Sequence, residues 1–262
     1  MNSSAQKKLI LQVDPKEVSY IIQNQLSNEI LHFNSYTLDP YKSIDIELDK
    51  MFNADELLST DFDDIEIIHN NNLNTLVPDE YFNENVLGSY LQYNVKVFPS
   101  DFFASDEILG IKAHNVYVPF VAFNNYFVDK YGAFNYKHIF TSLVEYTHNE
   151  SKNEPLKIWL FKSNNVLAII GYKNQQLTFI NSFEIQSKED LIYYTLFVLE
   201  QTQVNPAECT VHLIGDFEKD DDFHQILYKY IQNVELLDYD LLSKTLHCSK
   251  QQLQNYFTLI HS

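Results

Sequence analysis

The 262-residue chain contains no arginine. Its 18 basic side chains are all lysines, set against 36 Asp and Glu for a formal charge of −18. Without arginine there is no bidentate guanidinium clamp for phosphate and no arginine finger. The negative charge repels phosphate backbones, so nucleic acid is not an expected partner. It also discourages binding to anionic membranes. Arginine-free usage rich in Asn, Lys, Ile, Tyr and Phe is what an AT-rich genome writes, so the gap needs no functional cause. Glycine is scarce at five residues, which argues against a phosphate loop in which clustered glycines let backbone approach the ligand. The two cysteines, Cys209 and Cys248, cannot build a disulfide framework. Cys209 precedes the apolar run 210–214 and reads as a buried thiol. No run approaches the roughly 20 apolar residues that span a bilayer. The start, MNSSAQKK, leads into a strand without the apolar stretch of a signal peptide. The expectation is a cytoplasmic protein with no membrane insertion.

What the chain does have is a core's worth of aromatics, 18 Tyr and 19 Phe, within a 45% hydrophobic composition. That composition suits a globular protein. The organising stretch is 157–185, KIWLFKSNNVLAIIGYKNQQLTFINSFEI, which reads as three short strands with turns at Lys162-Ser163-Asn164 and Lys173-Asn174-Gln175. Residues 9–38, LILQVDPKEVSYIIQNQLSNEILHFNSYTL, repeat the three apolar runs with nearly the same turn spacing. The third strands share a local word, Asn34-Ser35-Tyr36-Thr37-Leu38 against Asn181-Ser182-Phe183-Glu184-Ile185.

The remaining segments alternate in period. Residues 42–58 have helical spacing, with Ile44, Leu48, Met51 and Leu58 on one face. A strand at 65–69 and the Asn-rich run 70–74 suggest a hairpin closed by Leu76-Val77-Pro78. Residues 80–92 read as a helix, and 107–111 with 114–118 as another hairpin. Pro119 opens a helix carrying Phe120, Phe123, Phe127 and Tyr131, which Gly132 stops. A helical stripe of this kind is core more often than ligand groove. Residues 136–148 read as a strand running into a helix. Residues 151–155 form a polar, proline-ended linker, giving subdomains 8–150 and 156–262. In the second, Ser187 and Asp190 make a capping pair before helix 188–203. Strand 210–214, helix 223–232, strand 234–237 and helix 241–260 follow. Three meander strands followed by alternating helix and strand is the ribonuclease H-like pattern. Used twice, it predicts a mixed α/β fold of duplicated ribonuclease H-like subdomains, the actin-like ATPase arrangement with a cleft between the halves.

The strand triples with NSYTL and NSFEI, the segments LVPDEYF (76–82) and VYVPF (116–120), and HLIGDF (212–217) together resemble the Domain of Unknown Function 3822 family of Bacteroidetes-type bacteria. The resemblance covers roughly 8–260. It implies the actin-like ATPase superfold, whose other branches include sugar kinases, heat-shock ATPases and pilus-assembly scaffolds. It implies no activity, because one fold hosts many functions.

An actin-like ATPase needs two phosphate loops bearing Asp and Gly, and an adenosine loop of paired glycines. In 13–19 the first loop keeps Asp14, with Ser19 further along, but Pro15 and Lys16 stand where a glycine belongs. The second, at 161–166, has neither Asp nor Gly. The third, at 213–217, has Gly215 and Asp216 followed by more acid. Asp14, Ser19, Gly215 and Asp216 are therefore the nucleotide-cleft candidates, and a magnesium–phosphate site with half its carboxylates would bind poorly. Asp14 before proline is also an ordinary turn former. The acidic run Asp216, Glu218, Asp220, Asp221 and Asp222 lacks the glycine and closing glutamate of a calcium loop, and reads as a solvated loop favouring the next helix N-terminus. The histidines show no metal-ligand spacing, and His247-Cys248 is too short a pair for zinc. No serine has a glycine-flanked elbow. No catalytic residue, metal or cofactor is expected. The reading is a non-catalytic binding or scaffold protein with a protein partner. The alternative is a divergent nucleotide-binding ATPase or switch using ATP with magnesium, and a carbohydrate or small-molecule binder is a lesser one.

Overall fold

A computed structural model describes residues 6–98, 100–108, 110–152, 155–246 and 249–262. The chain divides into two compact units, Met1–Ser142 with Thr258–Ile260 and Ser262, and Leu143–Phe257 with His261.

The first unit opens on a meander of β1 (Lys7–Val13), β2 (Glu17–Asn24) and β3 (Ile30–Thr37). Helix α1 (Ile44–Ala54) and a short 3-10 turn, Glu56–Ser59, lead to β4 (Asp64–His69). β1 is antiparallel to β2 and parallel to β4. The β1 core, Leu9, Leu11 and Val13, is fully buried with Leu48 and Met51 of α1 against it. The chain then leaves the sheet. β5 (Asn74–Pro78), two 3-10 turns (Asp79–Tyr81 and Glu84–Val86), α2 (Leu87–Leu91), β6 (Ala104–Ile108) and β7 (Ala113–Tyr117) form a separate three-stranded sheet in the order β5-β7-β6. The hairpin expected between 65–69 and 76–78 is therefore not formed. Asn71 donates its side-chain amide to the Val118 carbonyl, and the Val118 N–H donates to Leu73, which steers β5 onto β7. The helix expected over 80–92 is broken because the Asn83 side chain accepts the Asn85 N–H and starts a new turn.

Helix α3 (Val121–Tyr131) follows Pro119-Phe120 and ends at Gly132, whose φ of 77° suits glycine. Phe123 and Phe127 of its aromatic stripe are buried and Tyr131 packs against them, so the stripe is core. β8 (Asn135–His138) joins β4 in parallel, completing the order β3-β2-β1-β4-β8. α4 (Ile139–Glu150) carries the chain into the second unit. Its first turn belongs to unit 1, where the buried Asn115 donates to Thr141 Oγ1.

The second unit repeats the plan. β9 (Leu156–Ser163), β10 (Val166–Lys173) and β11 (Gln176–Glu184) form the meander. They are followed by α5 (Lys188–Gln201), β12 (Thr210–Gly215), α6 (Asp222–Tyr230) and β13 (Asn233–Leu236). The order is β11-β10-β9-β12-β13, with β9–β12 and β12–β13 parallel. The two five-stranded sheets thus share order and strand sense. In each, the meander's outer strand is long and nearly uncharged, whereas β8 and β13 at the other edges are four residues long and carry Lys137 and Glu235. Cys209 is buried beside β12, with its thiol pushed up by burial. Cys248 and His247 lie outside the described residues, as do 153–154 of the linker. The single helix expected over 241–260 is three: α7 (Tyr239–Leu246), α8 (Lys250–Asn255) and α9 (Phe257–Ile260). Ser249 and Gln252 form a capping box that starts α8 afresh.

The expected cap on α5 is formed in full. Ser187 Oγ accepts the Asp190 N–H at 3.1 Å, and Asp190 accepts the Ser187 N–H at 3.0 Å. Ser187→Ala is expected to cost about 1 kcal/mol, read as a shift of the urea midpoint at unchanged slope. Among the described residues no helix is long and apolar enough to cross a membrane.

Candidate functional site

Asp14 directly follows β1 of the first unit. Its Oδ1 accepts the N–H groups of Lys16 at 2.8 Å and Glu17 at 2.9 Å, while its own N–H donates to the Glu17 carbonyl at 3.0 Å. This is the side-chain-mimicked turn that Asp before Pro favours. Burial pushes its carboxyl up, against the pull of those two amides. Ser19 is buried in β2, opposite Gln12 of β1 and Ser35 of β3. Gln12 accepts the hydroxyl of Thr258 at 2.9 Å. Asp14 and Ser19 thus close a turn and fill a strand pair.

The same unit holds a set of buried polar groups at the ends of β4 and β8. His69 and His138 are the last residues of β4 and β8 and face each other in the parallel register. Both are fully buried. His69 Nδ1 accepts the Phe120 N–H at 3.2 Å, and His138 Nδ1 accepts the Phe140 N–H at 3.2 Å. Each ring thereby satisfies an amide at the start of a helix and is held neutral. Burial lowers the His69 pKa to about 4 and the His138 pKa to about 3. Next to them Asp106 accepts from Tyr117 Oη, the His138 N–H and Thr141 Oγ1 at 2.9, 2.8 and 2.6 Å. Burial raises its carboxyl above the usual range. The only mark of the two rings in the sequence is a histidine at the last position of each of two strands.

Gly215 and Asp216 belong to the second unit, at the end of β12. Gly215 has φ of 85°, and a Cβ there would stand 2.2 Å from the Lys162 carbonyl oxygen. Only glycine meets both demands. Tyr239 Oη takes the Gly215 N–H at 2.7 Å and donates to its carbonyl at 3.2 Å. Gln254 donates to the Phe217 carbonyl at 2.7 Å. Lys162 Nζ lies 2.5 Å from Asp216 Oδ2 and 3.1 Å from the Asp216 carbonyl, with the Phe223 ring beneath it at 4.8 Å. The lysine side chain is 8% exposed and the aspartate 43%. The position where a second phosphate loop would need Asp and Gly is thus filled by a buried ammonium whose partner is one of the candidate carboxylates. In the acidic run, Asp221 caps α6 by accepting the His224 N–H at 2.6 Å, and Asp222 pairs with Lys188 at 2.9 Å. No group of three or more His, Cys, Asp or Glu placed to hold a metal ion occurs among the described residues.

Two five-stranded sheets, each an antiparallel meander extended by two parallel strands, define a protein of the actin-like ATPase fold. A solved protein of that fold and of unknown function from Bacteroides thetaiotaomicron superposes with a TM-score of 0.81 at 21% identity, over 94% of this chain and 97% of that one. A chain of a PilM-PilN type IV pilus biogenesis complex does so with a TM-score of 0.61 at 11% identity, over 97% and 96%. The chain belongs to the family described as protein of unknown function (DUF3822), whose model matches residues 1–234. No curated protein matches it.

Proposed function

We propose that the chain is a non-catalytic binding or scaffold protein built on the actin-like fold, acting through a protein partner and without a cofactor. The observation that carries this reading is the occupied 215–217 segment. Tyr239 takes the Gly215 N–H and carbonyl, the Lys162 carbonyl and ammonium take the Asp216 N–H and carbonyl, Gln254 takes the Phe217 carbonyl, the Phe217 N–H donates to the Gly215 carbonyl, and the Asp216 carboxylate is taken by Lys162. A nucleotide phosphate seeks free backbone donors and a metal-bearing carboxylate. Here it would have to break bonds the chain makes to itself and approach through surrounding acid. Asp14 adds to the case, since its Oδ1 already holds two backbone amides. The likeness to a chain found in the PilM-PilN complex supplies a precedent for this fold in a protein assembly.

The test is calorimetric titration and thermal shift with ATP-magnesium, ADP and GTP. A ligand that binds only the folded state raises its stability by RT ln(1 + [L]/Kd). The expected result is no saturable heat and no shift in the melting temperature at millimolar nucleotide. Saturable binding that disappears in Asp14→Ala or Asp216→Ala would replace this reading with a divergent nucleotide-dependent ATPase.

A further inference from the structure

The first unit carries an apolar groove that no part of its own core fills. Among the described residues, five of the seventeen exposed large hydrophobic side chains, Tyr81, Val86, Tyr93, Phe98 and Phe102, fall between residues 81 and 102. Three of them line one concavity of about 660 Å³: Val86 at 41% exposure, Phe98 at 53% and Phe102 at 55%. Phe103 forms part of the lining and packs on Gly88, where a Cβ would meet its ring at 2.8 Å. The concavity is open to the surface, and exposed aromatic side chains, phenylalanine included, are enriched where proteins meet.

Charge selects the occupant. Glu84 and Asp101 border the same groove. Lys96 is the lone cation between Lys50 and Lys112, and its ammonium already stands over the Phe98 ring at 5.2 Å. The site is therefore an aromatic surface bordered by two carboxylates, which suits ammonium and guanidinium groups.

We propose that this groove takes a short segment of a partner protein, apolar at its centre and flanked by Lys or Arg. The proposal rests on the scaffold reading above and names the chemistry of its partner. The central side chains displace water from Val86, Phe98 and Phe102, and the flanking cations meet Glu84, Asp101 and the ring faces. An acidic or phosphorylated segment would meet repulsion at the same rim. A second copy of the chain is disfavoured because each copy brings a formal charge of −18.

The probe is a fluorescein-labelled peptide of three leucines alternating with serines between paired lysines. Its control replaces the lysines by glutamates. Fluorescence anisotropy is read against the full chain at low salt. The lysine probe is expected to bind saturably and at least tenfold more tightly than the glutamate probe. The double variant Phe98→Ala/Phe102→Ala should weaken it at least tenfold, and Glu84→Lys at least threefold. All three positions lie on the surface, so an unchanged melting temperature checks that the variants fold. Equal binding of the two probes overturns the proposal, as does indifference to the Phe98/Phe102 variant or the absence of saturable binding. Self-association in sedimentation that the double variant abolishes would also overturn it, by giving the groove to a second copy. The two readings fail separately. A silent probe beside a silent nucleotide titration removes the groove alone, whereas nucleotide binding dependent on Asp14 or Asp216 removes the scaffold reading whatever the probe does.

Discussion

Gly215→Ala is expected to lower the stability of the protein by about 3–5 kcal/mol, at the severe end for a single substitution. Two costs add. An L-residue at φ of 85° carries strain on the order of 1–3 kcal/mol. The new Cβ also meets backbone rather than a flexible side chain, the Lys162 carbonyl oxygen at 2.2 Å. That carbonyl accepts the Asp216 N–H at 2.8 Å in the β9–β12 pairing. Relief requires the end of β12 to move off β9, which loosens the Tyr239 hydroxyl and the Lys162–Asp216 pair together. Gly132→Ala is the control. Its φ is 77°, but nothing lies within 4 Å of a Cβ there, so only the strain remains, about 1–3 kcal/mol. Urea denaturation of the two variants decides the matter. Equal losses would mean that the close approach at Gly215 has no energetic weight.

The second large effect is on acid stability. His69 and His138 are buried as neutral rings, with pKa values lowered from 6.5 to about 4 and about 3. Unfolding returns both to ordinary values, so below pH 6.5 the unfolded chain binds protons that the native chain does not. Stability from these groups is therefore fully present above pH 6.5 and declines as pH falls towards the native values. At pH 5 each ring has withdrawn about 2 kcal/mol. His261, also lowered by burial, acts in the same direction. Asp14 and Asp106, whose pKa values are raised, have the opposite sign, but only near and above the ordinary carboxylate value. Urea midpoints between pH 7.5 and pH 5 should fall steeply. In His69→Asn, which keeps an acceptor for the Phe120 N–H and loses the titrating ring, the fall should shrink by about 2 kcal/mol. A flat profile in the parent, or the same slope in the variant, would contradict the buried neutral pair.

Much of the architecture was legible because local signals agreed with each other. The apolar runs of 9–38 and 157–185, the Asp-Pro turn at 14–15, the cap at Ser187 and the stop at Gly132 all act within a few residues of where they are written. What escaped was set at long range. Residues 65–78 have the rhythm of a hairpin, and only Val118, brought to Asn71 and Leu73, sends β5 to another sheet. A period of apolar residues through 241–260 looks continuous until Ser249 captures the Gln252 N–H. The candidate loops divide in the same way. That Asp14 would hold its own turn follows from the proline beside it. That Asp216 would be held by Lys162, 54 residues earlier, and Gly215 by Tyr239, 24 residues later, could not be read from spacing. Neither could the histidines, whose roles depend on which helix begins above each strand.

The shared strand order also predicts an order of folding. In each unit the meander pairs close neighbours in sequence, as Val13 with Val18 and Ser163 with Val166 show. The parallel partners return only after a long excursion, β4 after α1 and β12 after α5. Closing the longer loops costs more entropy before any contact repays it. Each unit is therefore expected to nucleate in its hairpins and to add its parallel strands late. In the second unit that late step is the one that brings Gly215 against Lys162, so the three-stranded ribbon is expected to form before the clasp at the end of β12.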